Sequence, residues 1–177
     1  VITVADIPGH TDIGPVFEGD PILVDSEVKF HGQPLFAVLA ATEEQARVAA
    51  TLATFTIQPS GAILTAEDAL SANSTVRPQH QFGQGDAEQA LKLAPLTAEG
   101  TLSVGGQEHL YLEGQASLAL PEEDDRVMIY TSSQHPSEVQ KLVAEVLGVK
   151  LHKVTVDMRR MGGGFGGKES QAAQWAC

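Results

Sequence analysis

The chain carries one cysteine, Cys177, among 177 residues. That excludes an intrachain disulfide and any metal site built from clustered cysteines. Basic side chains are scarce, with 11 Lys and Arg against 23 Asp and Glu and a net charge of −12. A surface this acidic cannot neutralise a phosphate backbone, so nucleic acid is excluded as a partner. Apolar runs are only a few residues long, against the ~20 that a membrane helix needs, which excludes a membrane span. No basic stretch precedes an apolar one at the front, so no signal peptide is visible and a cytoplasmic location is expected. Disorder is excluded as well, because 42% of the residues are hydrophobic and only 19% are charged. The length leaves room for one ordinary domain or two small ones.

What charge there is lies unevenly. Residues 1–140 hold 20 acidic and 5 basic side chains, whereas 141–177 hold 3 acidic and 6 basic. The mildly basic end also contains five of the seventeen glycines, all within 162–167. Chance fluctuation accounts for such a window; so does a site for something anionic.

Hydrophobic periodicity and turn residues divide the chain further. Ile22–Val24 and Val28–Phe30 read as short strands, and 34–41 (PLFAVLAA) as a buried one. Thr42 and Gln45 have the spacing of a capping box ahead of a helix over 43–54. Phe55–Ile57 reads as a strand, and a second short helix begins at 65–68. Residues 74–97 have few large apolar side chains and read as a surface connection. Beyond it, 101–104 alternates, and Leu110, Leu112, Ala116, Leu118 and Leu120 share one face of a pleated segment. Glu122–Asp125 is a solvated turn, followed by a strand over 127–130. Pro136 opens the clearest helix, with Val139, Leu142, Val143, Val146 and Leu147 on one face and Gly148 as its stop. Val154, Val156 and Met158 alternate as a last strand, and 169–176 reads as a helix. The mixture predicts an α+β fold.

The segment after that strand is Met158-Arg-Arg-Met-Gly-Gly-Gly-Phe-Gly-Gly-Lys-Glu-Ser170. Glycine costs the most backbone entropy to order, so such a run serves close approach, positive φ, or a flexible linker. Gly162, Gly167 and Lys168 fit a P-loop, but Glu169 stands where a Ser or Thr must bind Mg²⁺, and its charge would repel phosphates. Gly162, Gly164 and Gly167 fit a dinucleotide fingerprint; its acidic partner would fall beyond Cys177, which leaves this reading open.

RRMGGGFGGKE resembles the molybdopterin-binding motif of the xanthine dehydrogenase and aldehyde oxidase family. GGQEHLYLEGQ at 105–115 resembles a second motif of that family, and TSSQHPSEVQKLVAEVLG the stretch between them. DIGPVFEGDPIL and HGQPLFAVLAAT resemble its α/β hammerhead domain. The resemblance implies a truncated hammerhead domain over 1–80, a linker over 81–97, and the beginning of a molybdopterin-binding domain over 98–177. On that basis the chain is an N-terminal fragment of the molybdopterin-binding large subunit of a bacterial-type xanthine dehydrogenase.

The implied activity is hydroxylation of hypoxanthine and xanthine to urate, with water as the oxygen source. Electrons would pass to iron–sulfur clusters and FAD on a partner subunit, in a dimer of heterodimers. An aldehyde oxidase or another N-heterocycle hydroxylase is the sibling alternative, and a non-catalytic nucleotide-binding module the distant one. By resemblance Gln107 supplies an amide beside the molybdenum's oxo ligand, where an N–H can stabilise growing charge. Gly164, Phe165 and Gly166 match the loop whose backbone passes the metal ligands, so Gln107 and Phe165 lie near the metal without coordinating it. Glu169 matches the glutamate that contacts purine, although a helix N-terminus would favour a glutamate there too. His31, His109 and His135 read as structural. The general base is expected beyond Cys177, so the fragment alone should be inactive.

Overall fold

A computed structural model describes residues 1–169 and Ala176. The helix expected over 169–176 falls almost wholly outside the described residues. The chain divides into two units, one formed by 1–53 with 107–177 and the other by 54–106.

The first unit is organised by a β–α–β segment. Strand β1 (Ser117–Glu122) pairs antiparallel with β2 (Arg126–Thr131), and β2 pairs parallel with β3 (Val154–Asp157), in the order β1-β2-β3. The turn between β1 and β2 holds Asp124 and Asp125 at φ 59° and 53°. Aspartate tolerates that region better than most residues, which suits these two positions of the hairpin turn.

Helix α4 (Pro136–Leu147) carries the crossover from β2 to β3. Four residues of the predicted stripe form its inner face: Val139, Leu142, Val143 and Val146 are buried with Ile129 of β2 and Val154 of β3, whereas Leu147, at the helix end, is exposed. His135 caps the helix through Nδ1, which accepts from the Glu138 N–H at 3.2 Å. Gly148 ends it at φ 65°, where Val149 N–H reaches back to the Ala144 carbonyl at 2.9 Å. The remaining C-terminal carbonyls are met from the front of the chain. Gly9 N–H donates to Val146 O at 2.9 Å and His10 N–H to Glu145 O at 2.8 Å. Only glycine permits this, since a Cβ on Gly9 would lie 2.0 Å from Glu145 O. Ile13 follows it into the same core.

Helix α1 (Glu43–Thr51) forms where predicted, capped by the Thr42 hydroxyl accepting from Gln45 N–H at 3.2 Å. The strands expected over 22–41 do not form. That region makes isolated bridges, Ile2 with Ala37 and Asp12 with Pro21. Pairing one residue at a time leaves PLFAVLAA half-exposed rather than buried. Likewise 110–116 is not a strand, and Leu118 and Leu120 sit on the β1 face opposite the core residue Ile129.

The second unit holds helices α2 (Ala66–Ser71) and α3 (Ala87–Leu93) and no strand. None of its residues is buried. The strands read at 55–57 and 101–104 are absent, and α3 lies within the expected connection. Its signal is local: Asp86 caps it through a 2.9 Å bond from Gln89 N–H.

Leu142→Ala should lower unfolding free energy by about 2–5 kcal/mol, because it empties a packed site. Leu118→Ala, on the open face, should cost under about 1 kcal/mol by urea denaturation. Equal losses would show that α4 is not the core's centre.

Candidate functional site

The glycine segment follows the carboxyl end of β3 and packs against the carboxyl end of the parallel strand β2. This is where ligands bind in sheets with parallel crossovers. Two residues of the β2–α4 turn hold it. Ser133 Oγ and Gln134 N–H both donate to the Lys168 carbonyl at 3.0 Å. Gln134 Oε1 accepts from Gly166 N–H at 3.0 Å and Lys168 N–H at 3.3 Å. Its Nε2 donates to Glu169 Oε1 at 3.3 Å.

The second wall is the stretch 109–115, so the two sequence motifs are in direct contact. Gln115 Nε2 donates to the Gly167 carbonyl at 3.0 Å. Glu113 Oε2 accepts from Gly162 N–H and from Lys168 Nζ, both at 2.8 Å. A Cβ on Gly167 would come within 2.8 Å of Tyr111 and 2.9 Å of His109, so this glycine is needed for close approach. His109 packs there as part of the wall.

At the outer bend Phe165 has φ 52°, rare for an aromatic residue, and its side chain is 75% exposed. The N–H groups of Gly163, Gly164 and Phe165 have no acceptor among the described residues. Gly164 is nonetheless buried. A buried unpaired N–H in a native fold calls for a ligand or water. Successive N–H groups turned out of a bend form a concavity for an anion, so the residues present fit an anionic cofactor there.

Gly164, Phe165, Gly166 and Glu169 therefore come together. Gln107 is exposed and makes no hydrogen bond or ion pair among the described residues. The amides that touch the loop belong to Gln115 and to Gln134, the latter not among the predicted site residues. Its signal was its position, a polar residue between a strand's carboxyl end and a helix start. Among the described residues no three His, Cys, Asp or Glu side chains gather as metal ligands.

Half of the six basic residues in 141–177 are held in ion pairs among the described residues. Lys168 meets Glu113, Lys141 lies 3.8 Å from Glu145, and Arg159 lies 3.3 Å from Asp157. Anion affinity at the loop thus falls to backbone dipoles rather than to lysine charge. The Lys168 hydrogen bond, and then the Gly162 N–H, hold the Glu113 carboxyl below the ordinary carboxylate range.

Comparison with known proteins agrees with this geometry. Residues 68–177 match the molybdopterin cofactor-binding domain, and 1–60 match the aldehyde oxidase and xanthine dehydrogenase a/b hammerhead domain. The chain belongs to the aldehyde oxidase and xanthine dehydrogenase family. It is 36% identical to a xanthine dehydrogenase of Dictyostelium discoideum over 172 residues, 97% of this chain and 13% of that protein. It is 39% identical to aldehyde oxidase 2 of Macaca fascicularis over 175 residues, 98% of this chain and 13% of that one. The aldehyde oxidoreductase of Desulfovibrio gigas superposes with a TM-score of 0.79 at 25% identity, covering 99% of this chain and 22% of that chain. The chain thus spans about an eighth of the curated relatives it matches. Among the described residues no helix is long and apolar enough to cross a membrane.

A carboxyl whose folded pKa is lowered stabilises fully above its unfolded value, and that contribution fades as pH falls through the folded value. Melting temperature should therefore fall more steeply on acidification below the ordinary carboxylate range in the unmutated protein than in Glu113→Gln. Parallel curves would show that Glu113 does not hold the loop.

Proposed function

We propose that this chain is part of a molybdenum hydroxylase acting on purines, and that its glycine loop faces the cofactor. The observation that carries the reading is the bend at 163–165, where three N–H groups stand without acceptors beside an exposed Phe165. Bound molybdopterin would supply a two-electron oxidation of substrate carbon with oxygen from water.

The chain's own residues bind and orient. The N–H groups of Gly163, Gly164 and Phe165 would donate hydrogen bonds to the cofactor's negative charge, through fixed dipoles that need no reorganisation. Gln134, tied to the loop at both Gly166 and Lys168, would hold the Glu169 carboxylate toward substrate. A carboxylate there can accept from a purine ring N–H, and this favours purine over aldehyde. Phe165 would cover one side of the site and keep water out. Gln107, exposed and without an internal hydrogen bond, would keep its amide beside the cofactor, as the resemblance implies, while Gln134 orders the loop. Iron–sulfur clusters and FAD, a partner subunit carrying them, a dimer of heterodimers and a cytoplasmic location complete the proposal.

Aldehyde oxidation is the second reading. It is favoured by the 39% identity to aldehyde oxidase 2, which falls within the 36% to 41% found for xanthine dehydrogenases.

In the intact protein, Glu169→Val should lower kcat/KM for xanthine by roughly 10- to 100-fold, the worth of one hydrogen bond to a charged group, and spare small aldehydes. Unchanged purine turnover would move the substrate to the aldehyde class. Gln107→Ala should keep molybdenum content and lower turnover by roughly tenfold or more. An unchanged rate would remove Gln107 from the site. Tight equilibrium binding of NAD or ATP would replace this function with a nucleotide-binding one.

A further inference from the structure

Lys168 has no solvent exposure. Its ammonium meets Glu113 Oε2 at 2.8 Å and lies 4.8 Å from the centre of the Tyr111 ring. The same Glu113 oxygen accepts from Gly162 N–H at 2.8 Å. One carboxylate atom thus joins the first and the last residue of the segment 162–168.

A buried ion pair is a poor stability device. Apolar side chains of similar volume are often as stabilising, because they escape the desolvation cost. What they lack is direction. A charge-assisted pair fixes three centres at short distances, and removing either partner strands the other. From Lys168 the contacts continue outward. Its N–H reaches Gln134 Oε1, and Gln134 Nε2 reaches Glu169 Oε1.

We propose that Glu113 and Lys168 are positioning residues: their ion pair closes the glycine loop at both ends and so fixes the Gly163–Phe165 N–H groups and the Glu169 carboxylate in one arrangement. What the loop faces rests on the proposed function; the clamp does not. Neither residue touches substrate. Both act through Gln134 and the loop backbone.

Hydrogen exchange of the intact protein, read by mass spectrometry, separates the two claims. Glu113→Gln keeps the shape and loses the charge; Lys168→Met keeps the length and loses the ammonium. Each should speed amide exchange over 162–168 by roughly tenfold or more, the worth of a hydrogen bond to a charged group, and leave α4 unchanged. The double variant should exchange no faster than either single, since the pair acts as a unit. Glu113→Gln is the milder change and keeps the test available if Lys168→Met fails to fold. With xanthine, Glu113→Gln should raise KM roughly three- to tenfold at unchanged molybdenum content, because Glu169 is displaced rather than removed. Unchanged exchange in the loop would overturn the clamp, and so would equal acceleration of loop and α4. Faster loop exchange with unchanged KM would overturn the positioning role. An unmutated protein that turns over neither purine nor aldehyde would overturn the proposed function and leave the exchange result to judge the clamp.

Discussion

A lysine ammonium sealed from water must find its partners inside the protein, and at Lys168 those partners come from a different stretch of sequence. Glu113 and Tyr111 lie more than fifty residues upstream, yet they surround the ammonium. Because the ammonium cannot be satisfied elsewhere, the two motifs must meet. Once they do, Gly162 is bound to Glu113, Gly167 lies against Tyr111 and His109, and Gln115 holds the Gly167 carbonyl. The bend at Phe165 is what remains unheld, and its N–H groups have no acceptor among the described residues.

The sheet supplies the other half of that constraint. β2 and β3 run parallel with α4 between them, so their carboxyl ends lie side by side. The loop leaving β3 therefore arrives at the turn leaving β2, where Ser133 and Gln134 wait. The front of the chain stabilises this unit at its far end, through Gly9 and His10 on the last carbonyls of α4. Core, crossover and loop thus form one mechanical series, and the loop is the member whose backbone donors are incompletely paired.

How much of this could be read from sequence depends on whether the signal was local. Helix α4 was legible in its stripe, its Pro136 and its Gly148, all within fourteen residues. Helix α1 was legible in its cap. The strands over 22–41 were misread because apolar runs report burial tendency, not pairing, and their partners provide only single bridges. At the site, the glycine run, Phe165 and Glu169 were visible as a pattern. Gln134 was not, because its importance arises from two strand ends meeting in space. Nor was the fate of Lys168. Its charge looked available for a ligand, and folding commits it to Glu113.

The central claim is that the bend at 163–165 faces an anionic molybdenum cofactor. Elemental and pterin analysis of the purified intact protein tests it most directly. The account predicts stoichiometric molybdenum together with a pterin that becomes fluorescent on oxidation. Protein that carries neither when made in cells supplying both, and that instead retains a nucleotide, would contradict it.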